Sequence, residues 1–275
     1  MAQALSAIAQ IEFDAEVKAA YQNAGALRPH VRVRTNVTGS TARFRRVGRG
    51  QAQPRLPGTD VTVMNAQYTE ATATLTDWIA AEYTDKLDAQ LVNFEERSIL
   101  ANNIGAAIGR RLDQMIIAAL DAANASANIA VASTGLTDAK MRRAMALMDA
   151  RAVPQGQRKM VISARAKEDL TSEQRFTSKD FVDQYVVQTG TLPRLYGFDF
   201  IVIDDRDEGG LPLASTTRSC FAFDMQAIGL AIAHNEPLEV NYVAEKTSWL
   251  SAQLIKAGAV AIDALGVIEI ATQES

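Results

Sequence analysis

Apolar residues between Phe94 and Ala119 recur at steps of three, four and seven: Phe94, Ala101, Ile104, Ile108, Leu112, Met115 and Ala119. That spacing lines one face of an α-helix and predicts a long amphipathic helix within 93–122. Asn93 followed by Glu96 has the form of a capping box, with Glu95 and Glu96 at the positive end of the helix dipole. At ~1.5 Å per residue the helix is about 40 Å long, which points to an extended rather than a rounded body. A second helix is expected after Thr137 as N-cap, with Leu136 and Met141 spaced as a hydrophobic staple, and Pro154 and Gly156 closing it. A weak amphipathic spacing at Ile8, Ile11, Val17 and Tyr21 suggests a short helix or arm at the start of the chain.

Elsewhere the period drops to two. Val31 to Gln51 alternates β-branched and polar residues on both sides of Gly39-Ser40, and predicts two strands joined there by a turn. Gly48, Gly50, Pro54, Pro57 and Gly58 break regular structure, and Thr62 to Trp78 resumes a strand-like pattern. Arg158–Ala164 reads as a buried strand followed by a short helix. Further strands are expected in 198–205, 220–233, 238–245 and 259–271. A long, arginine-studded hairpin buries no core of its own, so it must lie on the rest of the chain or on a neighbour.

Charge sharpens that point. The 275 residues carry 28 Lys+Arg and 32 Asp+Glu, a net of -4. From Arg28 to Thr59, however, there are eight Arg, no Lys and no carboxylate, which leaves 20 basic and 32 acidic residues elsewhere, a balance of -12. Such asymmetry points to a partner: a polyanion, or another acidic protein surface. Phe44 is the one aromatic residue in the segment, so a stacking platform for single strands is disfavoured. Docking onto carboxylates, phosphate binding and a merely solvated hairpin remain the three readings.

Catalytic chemistry finds little support. The two histidines, His30 and His234, form no His/Cys cluster at metal-ligand spacing, and His234-Asn-Glu236, which could hold a metal, precedes Pro237 in an expected surface turn and reads as structural. Cys220 lies in an apolar run and reads as core, and it implies no disulfide framework. The acidic run Asp204, Asp205, Asp207, Glu208 lacks calcium-loop spacing. Gly48-Arg-Gly50 is at most half of a dinucleotide fingerprint. Gly105 and Gly109 form a small-xxx-small pair, read as close backbone packing. With no catalytic or ligand constellation left, an enzyme, a cofactor and a metal site are unexpected; with no basic leader and no membrane-length apolar run, so are secretion and a membrane role.

Several short motifs, in their order, resemble tailed-bacteriophage major capsid proteins of the Hong Kong 97 fold, most like the T-seven-like ones. They are Gly39-Ser-Thr-Ala-Arg-Phe44, Val47-Gly-Arg-Gly50, Ala152-Val-Pro154 with Arg158–Ser163, Arg175-Phe-Thr177 and Thr189–Phe200. Ala227–Ala231, Trp249, Gly258-Ala259 and Gly266-Val267 fit the family's closing pattern. The resemblance spans about 28–270. It implies an α+β fold with an N-terminal arm (1–35), an extended loop (36–76) and a peripheral domain (77–134 with 236–257) holding a spine helix, 93–120. An axial domain (135–235 with 258–275) completes it.

By the same resemblance, Arg43, Phe44, Arg45, Arg46, Arg49 and Arg55 are expected to touch a neighbouring subunit. Phe94, Ile104, Ile108 and Leu112 are expected to pack the spine helix. The chain would form pentamers and hexamers of a virion shell around double-stranded DNA, assembled in the host cytoplasm. A separate scaffolding protein, a portal protein and a decoration protein are the expected partners. The family's prototype links a loop lysine covalently to a neighbour, but no Lys lies between Lys18 and Lys86 here, so that link is expected to be absent. An encapsulin-like compartment and an arginine-loop nucleic-acid-binding protein are the alternatives.

Overall fold

The computed structural model describes residues 25–55, 57–58, 60, 63–85, 96–124, 128–173, 190–203, 205–206, 208–235 and 237–274. The expectations for residues 1–24, Asn93, Phe94, Glu95, Asp204, Asp207 and the Arg175-Phe-Thr177 motif lie outside those residues.

The first sheet is organised around β11 (Ser248–Ala261). β4 (Thr76–Asp85) runs antiparallel along one edge, from Ser248 opposite Asp85 to Ala257 opposite Thr76. Two strands share the other edge end to end: β10 (Glu239–Val243) beside the first half and β9 (Ile228–Asn235) beside the second. Within the β9 pairing the register shifts between Lys256 and Ala257. β1 (Arg32–Arg34) closes the sheet, parallel to β9.

The second sheet has the order β12 (Val267–Gln273), β8 (Thr217–Asp224), β5 (Arg158–Ser163), β6 (Asp199–Ile203), with the short β7 (Leu213–Ala214) on β8. Its central strands β5 and β8 carry fully buried apolar runs: Met160, Val161, Ile162, Phe221, Ala222 and Phe223 are each 0% exposed. That is the pattern expected of strands covered on both faces.

Helix α1 (Glu96–Ala122) is the long helix the periodicity predicts within 93–122, ending two residues beyond the 93–120 span implied by the resemblance. Its 27 residues span about 40 Å. It packs along β11 and β4 and reaches β12, so it joins the two sheets into one core. α2 (Asp138–Ala150) begins after Thr137 as expected, with Leu136 and Met141 both fully buried. The Thr137 hydroxyl makes no cap bond, however. Carboxylates from the third helix, α3 (Ala164–Ser172), and its end replace it: Asp169 accepts from Leu136 N–H at 3.1 Å, and Glu173 from Asp138 N–H at 3.0 Å. α3 has its own N-cap, Ser163, which accepts from Ala166 N–H at 3.0 Å.

One pairing differs from the sequence expectation. The segments flanking Gly39-Ser40 do not pair with each other. β2 (Thr41–Val47) pairs antiparallel with β3 (Tyr68–Thr74), while β1 belongs to the first sheet. Positive φ at Asn36 (58°) and Gly39 (101°) lets the chain leave the sheet edge and turn, and Leu75 N–H donating to Ser40 C=O closes the base of the hairpin at 2.9 Å. The hairpin loop is therefore the glycine- and proline-rich stretch 48–67.

Candidate intersubunit surfaces

The loop leaves the body through a small core of its own. Phe44 is 3% exposed and sits with Val37, Ala42, Ala73, Leu75 and Ala231. Its ring lies on Gly229 of β9, where an added Cβ would come within 2.8 Å of it. Glycine at 229 is thus what admits the ring. Phe44, expected to touch a neighbouring subunit, is buried within its own chain. Alternation along β2 explains this, since Ala42 and Phe44 face the sheet and Arg43 and Arg45 face away.

The arginines divide into three sets. Arg46 and Arg49 hold the loop to the body. Arg46 Nη1 is 2.6 Å from Asp263 Oδ1, and Arg49 donates to the Arg151 carbonyl. Arg151 in turn donates to the Leu265 and Val267 carbonyls, at 3.2 and 3.0 Å. Arg43 and Arg45 share a single carboxylate, Glu70 on β3, at 3.4 and 3.9 Å. Arg32 and Arg34 have no carboxylate partner among the described residues. The Arg32 guanidinium lies 5.9 Å from the Phe44 ring centre, and Arg34 donates to the Arg43 carbonyl at 2.9 Å. Arg55 is exposed on the loop. Beyond the paired strands the loop also displays Val63 and Met64, at 78% and 58% exposure, and Tyr68, the first residue of β3, is 76% exposed.

Two clefts follow from this arrangement. A groove of about 700 Å³ between β1 and β2 is lined by Arg32, Arg34, Arg43 and Arg45. A second, of about 420 Å³, lies under the loop base between Arg46, Arg49 and Arg151, with Asp224 and Asp263 in its wall. Asp224 is buried and its Oδ2 has no hydrogen-bond partner among the described residues. Burial pushes its carboxyl above the usual carboxylate range, against the Gln226 N–H and the Arg158 charge.

On the long helix α1, Ile104, Ile108 and Leu112 are buried, at 4%, 6% and 4% exposure. A charged junction lies beside this stripe. Asp113 is completely buried and accepts from Ala26 N–H (2.8 Å), Leu27 N–H (2.9 Å) and Arg206 Nη2 (2.9 Å). Burial raises its carboxyl above the ordinary value despite those three donors. A Cβ at Gly25 would collide with the Gly109 carbonyl, and one at Gly209 would be 2.5 Å from the Arg110 carbonyl. Gly109 of the small-xxx-small pair therefore serves packing of the arm root on the helix. Asp113 was absent from the candidate residues. The signal was a lone carboxylate on the stripe Gly109, Asp113, Ile116, Leu120, within the wider apolar face.

The remaining candidates are structural. Cys220 is fully buried and its thiol is pushed up to about 11, chiefly by burial. Asp205 pairs with Arg218 at 2.9 Å. His30 is lowered by burial and by Lys159. Lys140 is buried with its ammonium on the Val131, Thr134 and Ala271 carbonyls, at 2.8, 2.7 and 2.9 Å. Among the described residues no helix is long and apolar enough to cross a membrane.

A long helix bridging two sheets, with a hairpin loop projecting from the sheet edge, is the architecture of a viral shell subunit of the Hong Kong 97 type. The chain belongs to the phage capsid protein family, whose model matches residues 5–274. It is a shell-forming major capsid protein and hence a virion component. It is similar to the capsid structure of cyanophage P-SCSP1u, at 17% identity, over 96% of this chain and 92% of that one, with a TM-score of 0.75. The head of Helicobacter pylori bacteriophage KHP40 follows at 12% identity, over 95% and 94%, with a TM-score of 0.74. The capsid of Ralstonia phage GP4 gives 13% identity, over 95% and 94%, with a TM-score of 0.69. Sequence comparison with curated proteins gives no match.

Proposed function

We propose that copies of this chain assemble into the pentamers and hexamers of an icosahedral shell that encloses double-stranded DNA. The extended loop of each subunit reaches over its neighbour. The single observation that carries this is the two-ended chemistry of the loop. Its base is fixed inside the chain by Phe44 and by Arg46 with Asp263, while its outer part exposes Val63 and Met64, with Tyr68 exposed where the loop enters β3. An apolar set of that size held out from the body is stabilised by burial against another molecule.

In this reading residues 77–134 with 236–257 form the peripheral domain, and 135–235 with 258–275 the axial domain. β11 runs unbroken through the junction, giving β10 to one side and β9 to the other. Arg55 and the outer loop make the contact between subunits. Assembly takes place in the host cytoplasm with a separate scaffolding protein and a portal protein, and a decoration protein adds to the finished shell.

Because no Lys lies between Lys18 and Lys86, the shell is held without a covalent loop cross-link. Electron microscopy of the purified protein, with and without a co-expressed scaffold, tests the proposal: closed particles or capsomers are expected. A monomer at every concentration, with scaffold present, overturns it. Purified particles dissolved in detergent should run as a single 29.7 kDa band. A ladder of linked subunits would refute the non-covalent shell.

A further inference from the structure

The groove between β1 and β2 gathers positive charge that its own walls do not neutralise. Its lining includes Arg32, Arg34, Arg43 and Arg45 and not one carboxylate among the described residues. Glu70 on β3 is the one carboxylate paired with any of the four there, exposed and shared between Arg43 at 3.4 Å and Arg45 at 3.9 Å. The strands hold these charges together. Alternation on β2 turns Ala42 and Phe44 inward and leaves Arg43 and Arg45 on the outer side. From β1, Arg34 Nη1 donates to the Arg43 carbonyl at 2.9 Å, and the Arg32 guanidinium lies 5.9 Å from the Phe44 ring centre. On each strand the two arginines are two residues apart, about 6.6 Å along the chain. Like charges this close repel, and a bound anion relieves the repulsion.

The chemistry of the lining selects the anion. A guanidinium is planar and grips phosphate oxygens through two bonds at once. A triphosphate chain concentrates its negative charge over a span comparable with the arginine spacing, whereas a lone carboxylate leaves most of the four unmatched. Thr38 and Thr41 line the same groove and offer hydroxyl donors to further oxygens. Nothing in it reads a base: Phe44 is the one aromatic residue of the lining, it is 3% exposed, and its ring is taken up by Gly229. The volume of about 700 Å³ is that of a small-ligand site. We propose that this groove binds a triphosphate chain, free or carried by a nucleotide, with Arg32, Arg34, Arg43 and Arg45 on its oxygens and any base left in solvent. A ligand so placed bridges the edge of the first sheet and the root of the hairpin. It needs no second copy of the chain, so the site stands apart from the shell reading.

Calorimetric titration of full-length, unassembled protein with sodium tripolyphosphate, ATP and dATP tests this. One site per chain is expected, with the three affinities equal to within about threefold, because only the phosphates are held. Nucleotides that bind more than about tenfold tighter than the inorganic chain would show that the base is read, and would overturn the assignment. Arg34→Gln with Arg43→Gln should weaken binding at least about tenfold. Arg142→Gln, at an exposed position of α2 outside the groove, removes one positive charge and should leave the affinity unchanged.

Glu70→Gln removes the competing carboxylate and should raise the affinity about threefold, a gain that loss of folding cannot mimic. Absence of binding, an equal loss in Arg142→Gln, or no gain in Glu70→Gln overturns the proposal and leaves the shell reading standing. So does a short DNA duplex that displaces tripolyphosphate at a lower concentration of phosphate groups, for the groove would then serve nucleic acid.

Discussion

Replacing Phe44 by alanine asks whether the loop is anchored as a separate unit. A phenylalanine side chain buries about 200 Å², so at ~25 cal/mol/Å² its removal costs at most about 5 kcal/mol. The site is thin: five small or medium neighbours, with Gly229 beneath the ring. Partial closure of β2 onto β9 brings the expected loss to ~3 kcal/mol, the low end for such truncations. Those five neighbours form a cluster distinct from the main core. The loss therefore falls on local opening of the hairpin rather than on global unfolding.

Amide exchange on unassembled protein reads the two apart. Amides in Thr41–Val47 and Tyr68–Thr74 should lose protection by roughly a hundredfold, while those in β5 and β8 hold theirs. Equal losses in β5 and β8 would show that Phe44 belongs to the global core. An unchanged hairpin would show that Arg46 and Arg49 suffice. Either result refutes the reasoning. Gly229→Ala should reproduce the phenotype from the opposite side, because the new methyl takes the place of the ring.

Three other outcomes follow from buried groups. Asp113→Ala leaves the Ala26 and Leu27 N–H groups without their acceptor and removes the buried ion pair with Arg206, and should cost about 3–5 kcal/mol in chemical denaturation. Asp224 holds its proton more tightly folded than unfolded, so its ionisation weakens the fold as pH rises through the carboxylate range. Asp224→Asn should therefore melt above the parent at pH 7, with the advantage vanishing below about pH 4, where both states of the parent are protonated. Cys220 should react with a thiol reagent only at the rate of unfolding, and rapid labelling of native protein would contradict its burial.

What the sequence made legible was local and periodic. The long helix was visible because Ile104, Ile108 and Leu112 repeat at its pitch, and the starts of α2 and β5 because Thr137, Leu136 and the run Met160–Ile162 carry local signals. The partner of β2 was not visible. Strand pairing is a long-range choice, and a turn signal at Gly39-Ser40 suits a hairpin as well as it suits a chain leaving a sheet edge. Phe44 was grouped with its arginine neighbours because alternation tells that two faces exist but not which one meets Gly229. Asp113 escaped notice because a single carboxylate within an apolar face becomes meaningful only when the donors of Ala26, Leu27 and Arg206 arrive from elsewhere in the chain.

The net charge of the arginine segment conceals a division of labour. A surface evolved only to bind a polyanion would keep its guanidinium groups free, and one evolved only to hold the hairpin would satisfy them all. Here Arg46 and Arg49 are spent on the chain's own body, Arg43 and Arg45 divide one exposed carboxylate, and Arg32 and Arg34 have none among the described residues. Compensation thus falls off from the loop base toward the groove. Exposed ion pairs contribute little, about 0–1 kcal/mol each, so Glu70 can be displaced by a competing carboxylate at small cost. Arg46 with Asp263, about a third exposed on both sides, resists displacement better. The charges that remain available are therefore those facing the groove, and engaging them leaves the loop fastened to the subunit that carries it.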